Sequence, residues 1–123
     1  RSQDEEIDKK LTYAKQLYAQ GQFSEAVVYF EEVLEKKPEQ MSTTLYAGIS
    51  YLELKEYNAA RRSLNTVIQQ HDNLFIEQAD WYLAFCFLAT EENDRARRQF
   101  ARIASSNSFY RKDAEKILRK LDK

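Results

Sequence analysis

The side chains that could carry out chemistry are few and scattered. The 123-residue chain has one histidine, His71, and one cysteine, Cys86. A cysteine or serine nucleophile needs a neighbouring base, and Cys86 lies inside an apolar run. We therefore expect Cys86 to be a small buried hydrophobe. We expect His71 to lie at the C-terminal end of a helix, facing the negative end of the helix dipole.

Carboxylates occur in short runs, but their spacing predicts no hydrolytic or metal site. Each run, Asp4–Glu6, Glu31–Glu32 and Glu91–Glu92, fits the solvated face or first turn of a helix. No pair is placed across a cleft, and no metal-ligand spacing occurs. Gly21 and Gly48 are too far apart to form a phosphate-binding loop. We therefore expect a protein that is not an enzyme, with no cofactor and no catalytic or metal-binding residues.

The longest apolar run, from Trp81 to Ala89, is the element around which the chain is organised. It is too short for a membrane span, which needs about 20 residues, and it lacks the polar face of a surface helix. Other helices must therefore enclose it. Because the whole chain has only two glycines and one proline, turns are scarce and an all-α fold is favoured. We expect seven helices and no strands.

Periodicity and helix-end signals place these helices. A capping-box spacing at Ser2 and Glu5 begins the first, and Pro38 suits the first turn of the third. The fifth is expected to contain Leu74 and Phe75 ahead of the apolar run. A polar loop at residues 105–108 can cap the last helix, whose apolar stripe is flanked by lysine and arginine.

Small residues recur in pairs twelve positions apart, and the pairs themselves recur at intervals of 34 and 36 residues. A small residue on each helix of a hairpin lets the two backbones approach closely where they cross. The helices are therefore expected to form three similar hairpins. The pairs are Ala14 and Ala26, Gly48 and Ala60, and Ala84 and Ala96.

These small pairs, the aromatic residues Phe23 and Tyr57, and Pro38 at the end of the first hairpin resemble the tetratricopeptide repeat, whose period is 34 residues. The resemblance implies a right-handed superhelical array of three helix-turn-helix units and a C-terminal capping helix. It implies a single domain over residues 1–123. The expected repeats span about 7–40, 41–74 and 77–108, with the capping helix at about 109–122.

In the resembled family, the first helix of each repeat lines a concave groove that binds a protein segment. The residues expected to line it here are Lys15, Tyr18, Leu45, Ile49, Leu52, Glu53, Trp81, Phe85 and Leu88. An apolar strip of this kind, anchored by Trp81, would take an apolar helix or an extended peptide. The alternative is that the capping helix or the loop before the fifth helix covers these residues, which are then simply core.

Some family members bind acidic carboxy-terminal tails with a clamp of basic and amide side chains. At the comparable positions this chain has one basic residue, so that clamp is not expected. The positions are occupied by Leu11, Lys15, Tyr46, Gln78 and Tyr82. The expected role is a non-catalytic scaffold or adaptor for a protein or peptide.

Two other functions remain open from the sequence. Trp81 and Phe85, or the last helix, could meet a second copy and form a homodimer. Recurring arginines on second helices could bind nucleic acid, although no aromatic residues are interleaved with them as stacking platforms. These arginines are Arg61, Arg62, Arg97, Arg98 and Arg102.

The C-terminal half, from Asn73 to Leu121, resembles soluble repeat domains of bacterial proteins, which are often held at a membrane by a preceding span. This resemblance implies a bacterial protein of the cytoplasm or the periplasm, with no insertion of this segment into the bilayer. The chain begins with Arg1 rather than Met, and we expect a fragment or a processed form.

Overall fold

The computed structural model describes residues 2–123. Within that range the chain forms seven α-helices and no strand, so the all-α fold class is confirmed. Each helix packs on the next along the chain, and α3 also contacts α5. The helices are α1 (Ser2–Ala19), α2 (Phe23–Lys36), α3 (Met41–Glu53), α4 (Tyr57–Gln69), α5 (Ile76–Ala89), α6 (Asn93–Ala104) and α7 (Arg111–Leu121). Helix α1 includes Ser2, which the capping-box prediction placed before the helix.

The small residues lie where the paired helices pack. All five alanines of the three pairs have 0% exposed surface, and Gly48 is buried. A Cβ atom built on Gly48 would lie 3.0 Å from Leu64 Cδ2 and 3.2 Å from Ser63 Cβ. Leu64 is itself fully buried and has no free space to move into. Gly48 therefore faces Leu64 and Ser63 of α4, about one turn beyond Ala60.

The three hairpins turn through the same backbone conformation. The second residue after each first helix has a left-handed φ, and the amide of the next residue donates to a carbonyl five residues earlier, which is the Schellman motif. The left-handed residues are Gly21, Lys55 and Glu91, with φ of 76°, 64° and 61°. The amides of Gln22, Glu56 and Glu92 donate to the carbonyls of Leu17, Tyr51 and Phe87 at 2.9, 2.9 and 2.8 Å. The 34- and 36-residue intervals of the sequence are thus repeated in the backbone.

Pro38 lies before α3 and not in its first turn, so that prediction was wrong. The Gln40 amide donates to the Lys37 carbonyl at 3.2 Å, which makes residues 37–40 a β-turn with proline at its second position. The fixed φ of proline suits that position. Helix α3 starts only at Met41.

The prediction that Leu74 and Phe75 belong to the fifth helix was also wrong. The side chain of Asn73 organises the loop before α5, because its Oδ1 accepts from the Phe75 amide at 2.8 Å and its Nδ2 donates to the Val67 carbonyl at 2.9 Å. Leu74 is left 90% exposed. Helix α5 begins at Ile76.

Helix α5 is enclosed, as its apolar sequence predicts. It packs against α3, α4 and α6, and it buries Leu83, Ala84, Cys86 and Phe87 in a core that extends from α3 to α7. A smaller core joins α1 and α2 to Ala47 of α3.

Helix α7 covers the open side of α6. It buries Ala114 completely, and Arg97 of α6 holds its C-terminal end by donating to Asp122 Oδ1 at 3.0 Å and to the Leu121 carbonyl at 3.1 Å. Among the helices of residues 2–123, none combines the length and the apolar character needed to cross a bilayer.

Candidate functional site

Aromatic side chains from the first helices of the hairpins meet on one face of the array. Tyr18 of α1 and Tyr46 of α3 pack edge to face with ring centroids 4.9 Å apart. Tyr46 also stacks on Phe30 of α2 at 5.5 Å, and the ammonium group of Lys15 lies over the Tyr46 ring, 5.9 Å from its centroid. Lys15 is exposed, whereas both tyrosines are only partly buried.

A second aromatic group continues this face toward α7. The Trp81 ring stacks on Tyr110 with centroids 4.9 Å apart and an interplanar angle of 11°. Trp81 also packs edge to face against Phe85 of α5 and Phe100 of α6, with ring centroids 4.9 and 5.6 Å away. Tyr110 therefore covers one face of Trp81, as one of the alternatives from the sequence expected, and the indole supports the start of α7.

Tyr82 of α5 is a further partly buried tyrosine that packs on the larger core. Burial raises the pKa of Tyr18 to about 12, and the nearby Tyr82 and Tyr46 add to this rise, as does the carboxylate of Glu53. Burial also raises the pKa of Tyr110, with a further contribution from Tyr82, while a hydrogen bond to Gln78 opposes the rise. Tyr82 is thus near both Tyr18 and Tyr110. We call Tyr18, Tyr46, Tyr82 and Tyr110 the tyrosine face.

Two residues expected to line an open groove are instead part of the core. Leu45 and Ile49 are 5% and 7% exposed, and they belong to the cluster against which Tyr18 and Tyr82 pack. The expectation of an open aliphatic strip at these positions is corrected, because both side chains are buried in the core that extends from α3 to α7. The accessible surface here is aromatic and carries hydroxyl groups.

The remaining expected groove residues keep some access to solvent. Four of them are partly buried and pack against the larger core, namely Leu52, Trp81, Phe85 and Leu88. Glu53 is exposed at the end of α3. Lys15 and Glu53 therefore place one positive and one negative charge beside the tyrosine face.

The comparison with protein families identifies the repeat. A family model described as tetratricopeptide repeat matches residues 17–79, which is more than half of the chain. The chain belongs to the tetratricopeptide repeat family. The match and the seven-helix array agree with the resemblance seen in the sequence. No curated protein matches the chain.

Membership of this family indicates a general type of function. Tetratricopeptide repeats generally mediate interactions between proteins and are not catalytic modules. In this tetratricopeptide domain, Tyr46 and Tyr82 occupy two of the positions used for the basic clamp in other members, and both contribute to the tyrosine face. The surface is therefore phenolic where a carboxylate clamp would be cationic.

Most of the arginines considered for nucleic-acid binding have partners within the chain. Arg61 forms an ion pair with Glu92 and donates to Thr90 Oγ1 at 2.8 Å, and its guanidinium lies 5.3 Å from the Phe87 ring centroid. Arg97 binds the end of α7, and Arg102 contacts Asp80 at 3.4 Å. These three side chains join neighbouring elements of the array.

The residues considered for catalysis are far from a reactive arrangement. Cys86 is fully buried, and burial raises the pKa of its thiol to about 11, which disfavours the nucleophilic thiolate. His71 is exposed in the loop after α4, and not at the last residue of that helix. Within residues 2–123, no group of three or more histidine, cysteine, aspartate or glutamate side chains is arranged to hold a metal ion.

The tyrosine face as a unit was missed by the sequence reasoning, although part of its signal was available. Tyr46 and Tyr82 are 36 residues apart, the same interval that relates the second and third hairpins. Their equivalence therefore predicts that both rings point to one face. Tyr110 carries no such signal, because it precedes α7, which has no partner helix to form a fourth hairpin.

Proposed function

We propose that this tetratricopeptide domain is a scaffold or adaptor that binds a peptide or a helical segment of a partner protein on its tyrosine face. The observation that carries the proposal is a set of four partly buried tyrosines, from α1, α3, α5 and the start of α7, that pack on the core, with Tyr18 and Tyr46 in ring contact and Tyr82 raising the pKa of both Tyr18 and Tyr110. Tyrosine is enriched at protein interfaces because its ring contributes apolar contact and its hydroxyl remains able to hydrogen-bond.

The electrostatic setting supports a largely neutral partner segment. The phenols of Tyr18 and Tyr110 are neutral at pH 7, since the pKa of tyrosine is about 10 and burial raises it further in both, so they can donate hydrogen bonds to partner carbonyl groups. Lys15 and Glu53 are of opposite sign, and neither charge dominates the face. An extended or helical peptide with apolar anchors matches this surface better than an acidic tail.

Tyr82 is the residue to replace in a test. Trp81 was the natural anchor in the sequence, but its stack on Tyr110 supports α7, so a Trp81→Ala variant would change the fold as well as the surface. Tyr82 has no ring stack of that kind among the described contacts, and it contributes to the raised pKa of both Tyr18 and Tyr110.

The experiment uses peptides selected from a random displayed library against the unmodified domain, with dissociation constants measured by fluorescence anisotropy. Tyr82→Ala is expected to weaken binding by about tenfold or more, as for an interface hot spot. The matched control is Tyr13→Ala, which removes a 45% exposed tyrosine that packs on Tyr29 of α2. Circular dichroism verifies both folds. Equal affinities for the two variants would contradict the proposal.

Nucleic-acid binding has less support, because Arg61, Arg97 and Arg102 are engaged within the chain. Arg62 and Arg98 are exposed on α4 and α6, but two exposed arginines form a small basic surface. Binding to generic RNA that falls steeply with salt would favour this alternative.

A further inference from the structure

The two most exposed large apolar side chains of residues 2–123 occupy equivalent positions in consecutive units. Leu74 is 90% exposed and Phe109 is 84% exposed. Each directly precedes the residue that caps a helix, Phe75 for α5 and Tyr110 for α7. Neither side chain is buried in the core. Exposed apolar groups of this kind point to an interaction surface.

The two loops that display these side chains are held in place by side-chain hydrogen bonds. Asn73 fixes the loop that carries Leu74, as described above. In the other loop, Ser106 Oγ donates to the Ile103 carbonyl at 2.7 Å, and Ser108 Oγ accepts from the Tyr110 amide at 3.0 Å. The display is therefore preorganised, which lowers the entropy cost of binding.

The loops also lie on the same edge of the array. The Phe109 amide donates to Glu77 Oε1 at 2.9 Å, and Glu77 lies in the first turn of α5, just after the loop that carries Leu74. One edge thus presents two apolar side chains, one from each of two neighbouring loops.

The charges around the two apolar residues are of opposite sign. Residues 70–75 hold the carboxylate of Asp72 and no lysine or arginine, a net charge of −1, while Glu77, which accepts from the Phe109 amide, lies between the two loops. Residues 105–113 hold Arg111 and Lys112 against one carboxylate, Asp113, a net charge of +1. A surface with an acidic apolar half and a basic apolar half is complementary to its own copy related by a two-fold axis.

We propose that this edge is a homodimer interface, in which the Leu74 loop of each copy packs against the Phe109 loop of the other. Leu74 of each copy then contacts Phe109 of the other. Asp72 of each copy faces Arg111 of the other, so the dimer contains two such ion pairs. The interface is small, so the dimer forms reversibly and at high protein concentration. This surface differs from those considered in the sequence for self-association, and its test does not depend on the proposed peptide binding.

Sedimentation equilibrium of the 123-residue chain tests the proposal. The apparent mass is expected to rise from 14.6 kDa toward twice that value as concentration increases. Phe109→Ser should raise the dimer dissociation constant by about tenfold or more. Since Phe109 is 84% exposed, this variant should keep the unfolding temperature of the parent. Val28→Ser, at a 53% exposed apolar site on α2, is the matched control and should leave dimerisation unchanged.

A charge-reversal pair tests the pairing itself. Asp72→Lys and Arg111→Glu each place like charges opposite each other, so each variant alone should be monomeric. Asp72 has a left-handed φ of 67°, and Lys55 has one of 64°, so lysine can adopt this backbone conformation. Mixed together, the two variants restore both contacts and should form a heterodimer with roughly the affinity of the parent. Only a two-fold contact in which Asp72 faces Arg111 predicts that mixing the two monomeric variants restores dimerisation.

Three results would overturn the proposal. The first is a parent chain that stays monomeric at all concentrations, and the second is a dimer that Phe109→Ser leaves intact. The third is a mixture of the charge-reversal variants that remains monomeric. Binding of a monomeric parent chain, and not of Phe109→Ser, to vesicles of phosphatidylcholine and phosphatidylserine would assign the edge to a lipid surface instead.

Discussion

Tyr18 links the tyrosine face to the pH dependence of folding. A tyrosine in an unfolded chain has a pKa of about 10, whereas burial raises the pKa of Tyr18 to about 12. Between these values the unfolded state loses the proton and the folded state keeps it. The unfolded state therefore binds fewer protons, and the free energy of unfolding falls as the pH rises through this window. Below about pH 10 the contribution of Tyr18 is fully present.

The first prediction follows from this fall in the free energy of unfolding with rising pH. Replacing Tyr18 by phenylalanine keeps the ring but removes the ionisable group. The variant should lose less stability than the parent between pH 9 and pH 11.5, roughly the window in which unfolded tyrosine titrates. Urea unfolding at a series of pH values measures it. Identical pH profiles for the two proteins would show that Tyr18 titrates normally in the folded state.

Gly48 lies where a side chain would meet atoms of α4, with Leu64 Cδ2 only 3.0 Å from a Cβ placed on the glycine. Gly48→Leu should destabilise the domain by about 1–3 kcal/mol or more, because overpacking must displace Leu64 or separate the helices. Leu64 is fully buried and cannot move into solvent. The control is Ala101→Leu, which adds the larger side chain at an exposed position of α6. Thermal unfolding that ranks the two variants equally would contradict the close approach of α3 and α4.

At the scale of elements, the hairpin turns offer a stabilising change. Lys55 and Glu91 adopt the left-handed conformation that Gly21 adopts in the first hairpin, and this conformation costs a residue with a Cβ atom roughly 1 kcal/mol. Lys55→Gly and Glu91→Gly should each raise stability by about 0.5 kcal/mol, after the extra entropy that glycine loses on folding. Differential scanning calorimetry measures both. A lower unfolding temperature in both variants would refute the argument from backbone strain.

The helices could be predicted because their signals are local and repeated. The small residues and the apolar run of α5 required burial between helices, and the structure shows it, although the atoms nearest to Gly48 belong to Leu64 and Ser63 and not to Ala60. The starts of α3 and α5 could not be predicted as well. They depend on a turn around Pro38 and on side-chain hydrogen bonds of Asn73, which compete with the helix at positions where helical periodicity alone is satisfied.

The candidate site was less accessible to sequence reasoning than the fold. The positions of the first helices indicated Tyr18, Leu45 and Ile49 together, but spacing along a helix does not determine which side chain lies over another. The rings of Tyr18 and Tyr82 pack on the cluster that contains Leu45 and Ile49. That arrangement depends on side-chain directions across three helices, and only the folded structure reveals it.

At the scale of the whole molecule, the tyrosine face and the dimer edge meet at one residue. Tyr110 stacks on Trp81 and packs edge to face against Phe109, with centroids 5.2 Å apart. Two copies joined at this edge would each keep a tyrosine face, since Tyr18 and Tyr46 lie on α1 and α3. A dimer would then present two binding faces, which raises the avidity for a partner with two matching segments.

The central claim is that the tyrosine face is where a partner protein binds. Nuclear magnetic resonance of the isotope-labelled domain, titrated with a selected peptide, tests it most directly. We predict that the signals that shift most belong to Tyr18, Tyr46, Tyr82 and the neighbouring Glu53. Shifts confined to the exposed surfaces of α4 and α6, around Arg62 and Arg98, with the tyrosine signals unchanged, would contradict the account.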